Sequence, residues 1–213
     1  MAYHFRKWSR DGSLENLFKA SILTVEGQLN LSELNLDGRH VIAKKGGESV
    51  ACQGRKRAKT TNILPVTDKE GYVLATTEPV AGNHNDAFEL KVNLQTAFQF
   101  MKRLGLDFQG AYFNADSAFD TKAARKVCFN YGIVPNIAEN KRNRQSVKRG
   151  RKRLFDADIY KHRFSSERTF AWIDKFRALI IRYDRKDVYF MGAHYIAYSM
   201  VNLRHILADE KFH

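Results

Sequence analysis

Two aspartates in this sequence stand where a short strand-like run gives way to a loop. Asp37 ends the alternating apolar and polar run 34–37, and Asp116 ends the apolar run 111–116. Side chains that bind ligands in open α/β sheets gather at such strand ends. Each aspartate alone also has a simpler interpretation, because an aspartate after a strand often only caps a turn.

A third acid, Glu167, shares one face of a predicted helix with Tyr160 and Arg163, because the three positions are spaced i, i+3, i+7. The simpler alternative is a solvated ion pair between Arg163 and Glu167. Carboxylates from three separate elements can hold two Mg²⁺ ions about 3.5–4 Å apart and so catalyse phosphoryl transfer. The sequence therefore predicts that Asp37, Asp116 and Glu167 hold two Mg²⁺ (or Mn²⁺) ions, with open positions for water and phosphate oxygens.

The elements that must position these acids follow from the hydrophobic pattern. Three strands followed by alternating helices and strands predict an α/β fold with a mixed sheet flanked by helices. Strands are expected at residues 34–37, 60–67, 72–77, 111–116 and 133–137, and helices at 3–25 with a turn at 11–13, 83–105, 121–131, 160–179 and 191–208. A strand-like run at 178–183 could shorten the helix at 160–179.

Two of these helices carry more detailed predictions. The helix that ends near Gly105 or Gly110 is expected to use Asn83 or Asn85 as its N-cap. His84 and Asp86 lie at this predicted helix start, where a metal or DNA role competes with simple capping. In the last helix the inward face is expected to carry Ile196, Met200, Leu203 and Leu207.

The formal net charge of +13 predicts an acidic polymer as partner, with nucleic acid favoured over an anionic membrane surface. No apolar run of about 18 residues and no signal peptide is evident, so the protein is expected in the cytosol. The residues expected to meet nucleic-acid phosphates are Arg55, Lys56, Arg57 and Lys59 in one segment, and Lys148, Arg149, Arg151, Lys152 and Arg153 in the basic loop 141–153. Cys52 and Cys128 lack CxxC spacing and are interpreted as ordinary thiols.

These residues resemble a known family, the bacterial insertion-sequence DDE transposases. The run 36–40 is similar to the family's first-Asp motif, and the run 115–120 is similar to its second. Tyr160-x2-Arg163-x3-Glu167 matches the first three positions of the third-acid signature Tyr-(2)-Arg-(3)-Glu-(6)-Lys. The surrounding sequence resembles the group named after insertion sequence five, and the similarity runs over nearly the whole chain.

The resemblance implies a ribonuclease H-like fold and two-metal cleavage and strand transfer of double-stranded DNA at inverted-repeat ends. It assigns metal binding to Asp37, Asp116 and Glu167, and DNA contacts near the scissile phosphate to Tyr160 and Arg163. It also implies action as a homodimer in the bacterial nucleoid.

Two departures from the family pattern stand out. Asp174 occupies the position of the family's lysine, and Lys175 beside it is the remaining candidate for that DNA contact. Such transposases usually begin with a helix-turn-helix domain, so residues 1–30 are interpreted as a helical linker and 31–213 as the catalytic domain. An upstream-frame helix-turn-helix protein is then an expected partner. The alternatives are a catalytically inactive DNA-binding remnant and a ribonuclease H-like nuclease without transposition.

Overall fold

The computed structural model describes residues 2–140 and 153–209. The strands within these ranges are β1 (Glu33–Leu36), β2 (Arg39–Ala43), β3 (Ala51–Gln53), β4 (Ala58–Ile63), β5 (Pro65–Asp68), β6 (Val73–Thr76), β7 (Val80–Ala81), β8 (Tyr112–Ala115), β9 (Val134–Ile137) and β10 (Ile181–Arg182). The α-helices are α1 (Ala2–Arg10), α2 (Ser13–Thr24), α3 (Leu90–Arg103), α4 (Lys122–Asn130), α5 (Ala157–Lys161), α6 (Phe164–Ile173), α7 (Arg177–Ile180) and α8 (Asp187–Asp209).

The main sheet has the strand order β6-β5-β1-β8-β9. β6, β5 and β1 pair antiparallel, whereas β1, β8 and β9 pair parallel. Helices cover both faces, since α3 packs on one face through Phe98 and Phe113, and α6 packs on the other through Ser165 and Asn35. The predicted α/β fold, a mixed sheet flanked by helices, is therefore confirmed.

A long hairpin connects the main sheet to a second one. Leu36 lies opposite Val66 and Arg39 lies opposite Ile63, so one register continues from the β1–β5 pair into the β2–β4 pair. Asp37 and Gly38 separate β1 from β2, at the point where the chain leaves the main sheet. β2 and β4 continue in a sheet ordered β10-β2-β4-β3, and the run predicted as one strand at 60–67 is therefore two strands.

The sheet face under α5 and α6 is polar. Asn35, Asn114 and Asn136 lie side by side on β1, β8 and β9, and all three are buried. Asn136 donates to Asn114 (2.8 Å), and Asn114 donates to Asn35 (2.9 Å).

This row of asparagines also binds the segment that returns to the sheet before α6. Asn35 donates to the Ser165 hydroxyl of α6 (3.0 Å), and Asn136 accepts from the backbone N–H of Asp156 (2.8 Å). Hydrogen bonds, which need one specific alignment, therefore fix the position of the helix that carries Glu167.

The prediction of one helix over residues 160–179 is wrong, because the structure has α5, α6 and α7 there. At the first junction Arg163 N–H donates to the Tyr160 carbonyl, an i to i−3 bond that tightens the turn. The helical periodicity is interrupted because the junction side chains His162 and Arg163 bind Glu33 and Asp37 on β1 and at its end. The strand-like run near residue 180 contributes β10, which pairs with β2.

The inward face of the last helix was predicted only in part, since Ile196 and Leu203 are partly buried and the side chain of Leu207 lies outside the described residues. Met200 is 51% exposed, and the buried positions of α8 include His194, Tyr198 and Asn202. Asn202 uses its amide to bind both backbone groups of Val73 on edge strand β6, at 2.8 and 2.9 Å. A hydrophobic pattern places such polar residues outside, and the prediction therefore missed these buried positions.

Other element predictions hold with one exception. α1 and α2 meet at Gly12, whose φ of 81° suits glycine, and Phe18 of α2 packs on Tyr198. The exception is α3, which begins at Leu90 without a side-chain cap rather than at Asn83 or Asn85. In the described part of the chain, no helix combines the length and apolar character needed to cross a membrane.

Candidate active site

Asp37 and Asp116 leave the main sheet at the same edge. Leu36 and Ala115 are register partners in the parallel pair β1–β8, so the residue after each begins the adjacent loop. Because these paired parallel strands end at the same level, the two aspartates are neighbours in space, although 79 positions separate them in the sequence. The sheet therefore brings together the first two predicted acids.

The carboxylate of Asp37 is half enclosed and has two partners. It accepts from the Gly38 backbone N–H (2.9 Å) and from Arg163 Nη1 (2.8 Å). Burial raises the pKa of Asp37 above its usual value, and the charge of Asp116 adds to the rise, while Arg163 opposes it. Asp37 therefore lies in a place where an added cation is favoured.

Arg163 joins the residues of the third predicted motif to Asp37. Its Nη2 lies 3.9 Å from Glu167 Oε1, and its guanidinium lies 5.7 Å from the centre of the Tyr160 ring. Partial burial works to lower the pKa of Arg163, but the charges of Asp37 and Asp116 outweigh it and raise that pKa. The shorter contact is with Asp37, so an isolated Arg163–Glu167 pair does not describe this arrangement.

Asp116 also caps a turn, which is the simpler role expected of an aspartate at the end of a strand. Its Oδ1 accepts from the Ala118 backbone N–H (2.5 Å) and caps the 3-10 turn Ser117–Phe119. Capping occupies that one oxygen, and the charge still acts on Asp37 and Arg163. The cap fixes the carboxylate at the sheet edge, so the two roles are compatible.

The donor set fits a divalent cation in its chemistry. Asp37, Asp116 and Glu167 supply only carboxylate oxygens, which Mg²⁺ and Mn²⁺ prefer. Glu167 is 52% exposed and lies across the Arg163 guanidinium from Asp37. Among the residues described, no three His, Cys, Asp or Glu side chains are grouped closely enough to hold a metal ion. Asp37 and Glu167 thus flank one guanidinium, and Asp116 lies near enough for its charge to act on Asp37 and Arg163.

Asp86, predicted as a helix cap or a metal or DNA residue, does not cap α3. Its Oδ1 accepts from Asn62 Nδ2 (2.8 Å) and lies 3.2 Å from His40 Nε2. The hydrogen bond from His40 holds the pKa of Asp86 below its usual range, against the effect of burial. Nothing in the local sequence indicates this pairing, since His40 and Asn62 lie on β2 and β4.

The departure at Asp174 has a structural explanation. Asp174 forms an ion pair with Arg39, which is only 8% exposed. Arg39 also donates to the Leu179 carbonyl (3.2 Å) and contacts buried His194 (3.3 Å). An acid at position 174 neutralises a buried cation beside the active-site edge, and a lysine there would repel it.

The neighbouring Lys175 is exposed and, in the part of the chain that the structure describes, forms no salt bridge with Asp37, Asp116 or Glu167. Its Nζ lies 3.6 Å from the centre of the Trp172 ring, which is itself exposed. A cation held on an exposed aromatic ring remains available to a phosphate. Its predicted DNA contact stays a prediction.

The first basic segment forms an exposed hairpin tip. Arg55, Lys56 and Arg57 lie in the turn between β3 and β4, and Lys59 follows in β4. Lys56 donates to the His40 carbonyl (3.2 Å), and the charge of Arg55 helps to lower the pKa of Asp86. The tip therefore stands beside the Asp37 end of the acid cluster.

The second basic segment is described only at its end. Lys148, Arg149, Arg151 and Lys152 lie outside the described residues. Arg153 forms an ion pair with Asp120, which also binds Arg125 (2.9 Å). Asp120 belongs to the second predicted motif, so this motif anchors the end of the basic segment as well as presenting Asp116.

Comparisons with known proteins bear on the family. In a comparison with curated protein sequences nothing matched. Among solved structures, this chain is similar to the Mos1 transposase paired-end complex with left transposon end, with 12% sequence identity and a TM-score of 0.38. The match covers 90% of this chain but only 60% of the Mos1 chain.

A second solved structure, the catalytic domain of Mos1 mariner transposase, shares 12% identity at a TM-score of 0.35, covering 90% of this chain and 91% of that one. Likeness at such scores does not bear on function. By contrast, a family model described as transposase DDE domain matches residues 25–200. The match spans most of the sequence and includes Asp37, Asp116 and Glu167, and the chain belongs to the transposase DDE domain family.

Proposed function

We propose that this chain is the catalytic domain of a DNA transposase that cleaves and joins strands at the inverted-repeat ends of an insertion sequence. The observation that carries the proposal is the convergence on Arg163: Asp37 binds it directly, and Glu167 lies 3.9 Å away. Asp116 adds its charge from the adjacent strand end. Family membership supports the reaction class.

In this proposal Asp37, Asp116 and Glu167 hold Mg²⁺ or Mn²⁺. When bound, two such ions activate the attacking oxygen and stabilise the leaving oxygen. The fold positions these acids. The β1–β8 register fixes the places of Asp37 and Asp116, and the asparagine row under α6 fixes the helix that carries Glu167.

Arg163 is proposed to exchange a carboxylate for a phosphate. Its planar fork donates to Asp37 in the same way that it can donate to phosphate oxygens. A DNA strand entering along the sheet edge would attract the guanidinium, with Tyr160 supporting its face. This transfer would release Asp37 for the cation while Arg163 orients the DNA.

Double-stranded DNA is proposed to reach the site past the hairpin tip of Arg55, Lys56 and Arg57. These exposed cations stand beside His40 and Asp86, next to the Asp37 turn. Phosphate contacts of this kind fix the path without reading sequence. A homodimer, action in the bacterial nucleoid and an upstream helix-turn-helix partner stay predictions from the family resemblance.

The decisive experiment is a nicking and strand-transfer assay on duplex DNA carrying the element's terminal repeats, with Mg²⁺ or Mn²⁺. We expect Asp37→Asn, Asp116→Asn and Glu167→Gln each to abolish cleavage while leaving DNA binding intact. Cleavage that survives all three substitutions would overturn the assignment. Salt-sensitive DNA binding without cleavage under either ion would instead favour the inactive remnant, and a preference for RNA–DNA hybrid would favour a nuclease.

A further inference from the structure

Asp86 approaches the catalytic turn from a separate loop. A Cβ added to Gly38 would lie 3.1 Å from Asp86 Oδ1 and 3.5 Å from Asn62 Oδ1. A side chain at position 38 would therefore be crowded by Asp86, with Leu64 Cδ2 (3.4 Å) and Asn62 at ordinary contact distance. Asp37 precedes this glycine and accepts a hydrogen bond from its N–H. No side chain of residue 38 separates the Asp86 carboxylate from the Asp37 turn.

The placement of Asp86 is fixed by two residues of the second sheet. His40 and Asn62 are register partners on β2 and β4, and both contact Asp86 Oδ1. Because β2 and β4 continue the hairpin that carries Asp37, these contacts tie Asp86 rigidly to that residue.

One polar atom in this cluster lacks a partner. Asn62 is 3% exposed, and within the described chain its Oδ1 is buried without a hydrogen bond. Its amide nitrogen is committed to Asp86, so the oxygen cannot exchange places with it. Leaving a buried acceptor unsatisfied is unfavourable, so the site calls for a donor beside Gly38. Water bound to a cation is a strong donor of this kind.

We propose that Asp86 is a fourth acid of the active site, a positioning residue that accepts hydrogen bonds from water ligands of the cation held by Asp37. The Asn62 carbonyl oxygen would accept from the same water shell. Mg²⁺ keeps several of its waters when bound by few carboxylates, and groups that bind those waters tune its affinity. This inference rests on the proposed function, since it requires a cation at Asp37.

The test is calorimetric titration of the whole chain with Mn²⁺ alone, without DNA. Asp86→Asn retains an oxygen that can accept from Asn62 and His40, so the fold should persist while the charge is lost. We expect Mn²⁺ affinity to fall about 10–100-fold. Asp107→Asn, which removes an exposed acid at the opposite end of β8, should leave the affinity unchanged. Equal affinity in Asp86→Asn and wild type overturns the proposal.

A second variant tests the geometry. Gly38→Ala places a methyl group against Asp86 and should also weaken Mn²⁺ binding. If it acts through Asp86, the double variant Gly38→Ala/Asp86→Asn binds no more weakly than Asp86→Asn alone. Additive losses would show that the alanine disturbs Asp37 instead, and would count against the proposed contact.

Asp37→Asn separates this inference from the proposed function. If Asp37→Asn loses Mn²⁺ binding and Asp86→Asn does not, only the role of Asp86 fails. If Asp37→Asn binds Mn²⁺ like the wild type, the proposed metal site itself fails, and the role of Asp86 fails with it.

Discussion

Arg163 Nη1 donates to Asp37 Oδ2 at 2.8 Å, and this contact joins the junction of α5 and α6 to the end of β1. It places a guanidinium among acids that would otherwise repel one another. The contact lies where the predicted helix is interrupted, between α5 and α6.

Removing this guanidinium should destabilise the chain. Arg163→Gln leaves the half-buried Asp37 without its cation, and we expect the free energy of unfolding at pH 7 to fall by about 1–2 kcal/mol. Arg163→Lys keeps the charge but loses the fork, so its loss should be smaller. Urea denaturation measures both variants. Unchanged stability in Arg163→Gln would mean that the ion pair contributes nothing.

The buried asparagine row should be costly to interrupt. Asn114→Ala leaves an acceptor on Asn35 and a donor on Asn136 unsatisfied. At about 1–3 kcal/mol for each unsatisfied group, the free energy of unfolding should fall by about 2–6 kcal/mol. Asn130→Ala, at an exposed position on α4, is the matched control and should change stability little. Similar urea midpoints for the two variants would contradict this role of the row.

The acid at position 174 should be preferred to the lysine of the family signature. Asp174→Lys sets a second cation against buried Arg39, and we expect a loss of about 1–2 kcal/mol in unfolding free energy. Asp174→Asn should lose less, because Asp174 is 59% exposed and solvent screens the pair. Thermal and urea unfolding test this order. A lysine variant as stable as the wild type would rule out the proposed reason for the departure.

Two buried groups should give stability pH dependences of opposite sign. Burial raises the pKa of Asp68 to about 6 and lowers the pKa of His194 to about 3. Asp68 holds its proton more tightly when folded, so its contribution is complete below its unfolded pKa of about 3.9 and is lost as pH rises toward 6. His194 contributes above its unfolded pKa of about 6.5, and that contribution is lost as pH falls.

Asp68→Asn removes the first of these opposing effects. Between pH 5 and 7 the variant should gain about 1 kcal/mol of unfolding free energy relative to the wild type. Urea titrations at pH 5, 6 and 7 measure the difference, and Asp107→Asn serves as the control for loss of an exposed acid. Parallel pH profiles for Asp68→Asn and wild type would show that Asp68 is not the group responsible.

The hairpin tip should contribute to DNA affinity through charge alone. Arg55→Ala/Arg57→Ala should weaken duplex binding for every DNA sequence and reduce the slope of log affinity against log salt by about 2. Lys102→Ala/Arg103→Ala, which removes two exposed cations at the end of α3, is the control for net charge. Identical salt slopes in the two double variants would place the DNA path elsewhere.

Local features were predictable because they are written in neighbouring residues. The runs ending at Asp37 and Asp116 have strand periodicity, and the structure places β1 and β8 there. The helix predicted from residue 121 is also present, and Thr121 is the N-cap of α4. The errors arose where polar residues are buried. His194 and Asn202 lie on the side of α8 that faces the protein core, whereas a hydrophobicity pattern assigns such residues to the surface.

The sequence by itself determined which acids end the strands, their order along the chain and the basic character of the segments around them. Only the tertiary structure decided the partners: Arg163 for Asp37, Arg39 for Asp174, and His40 with Asn62 for Asp86. Each of these contacts joins segments far apart in sequence. Their geometry depends on strand register and on how α6 docks to the sheet, and these arise from the packing of the whole chain, which no local pattern contains.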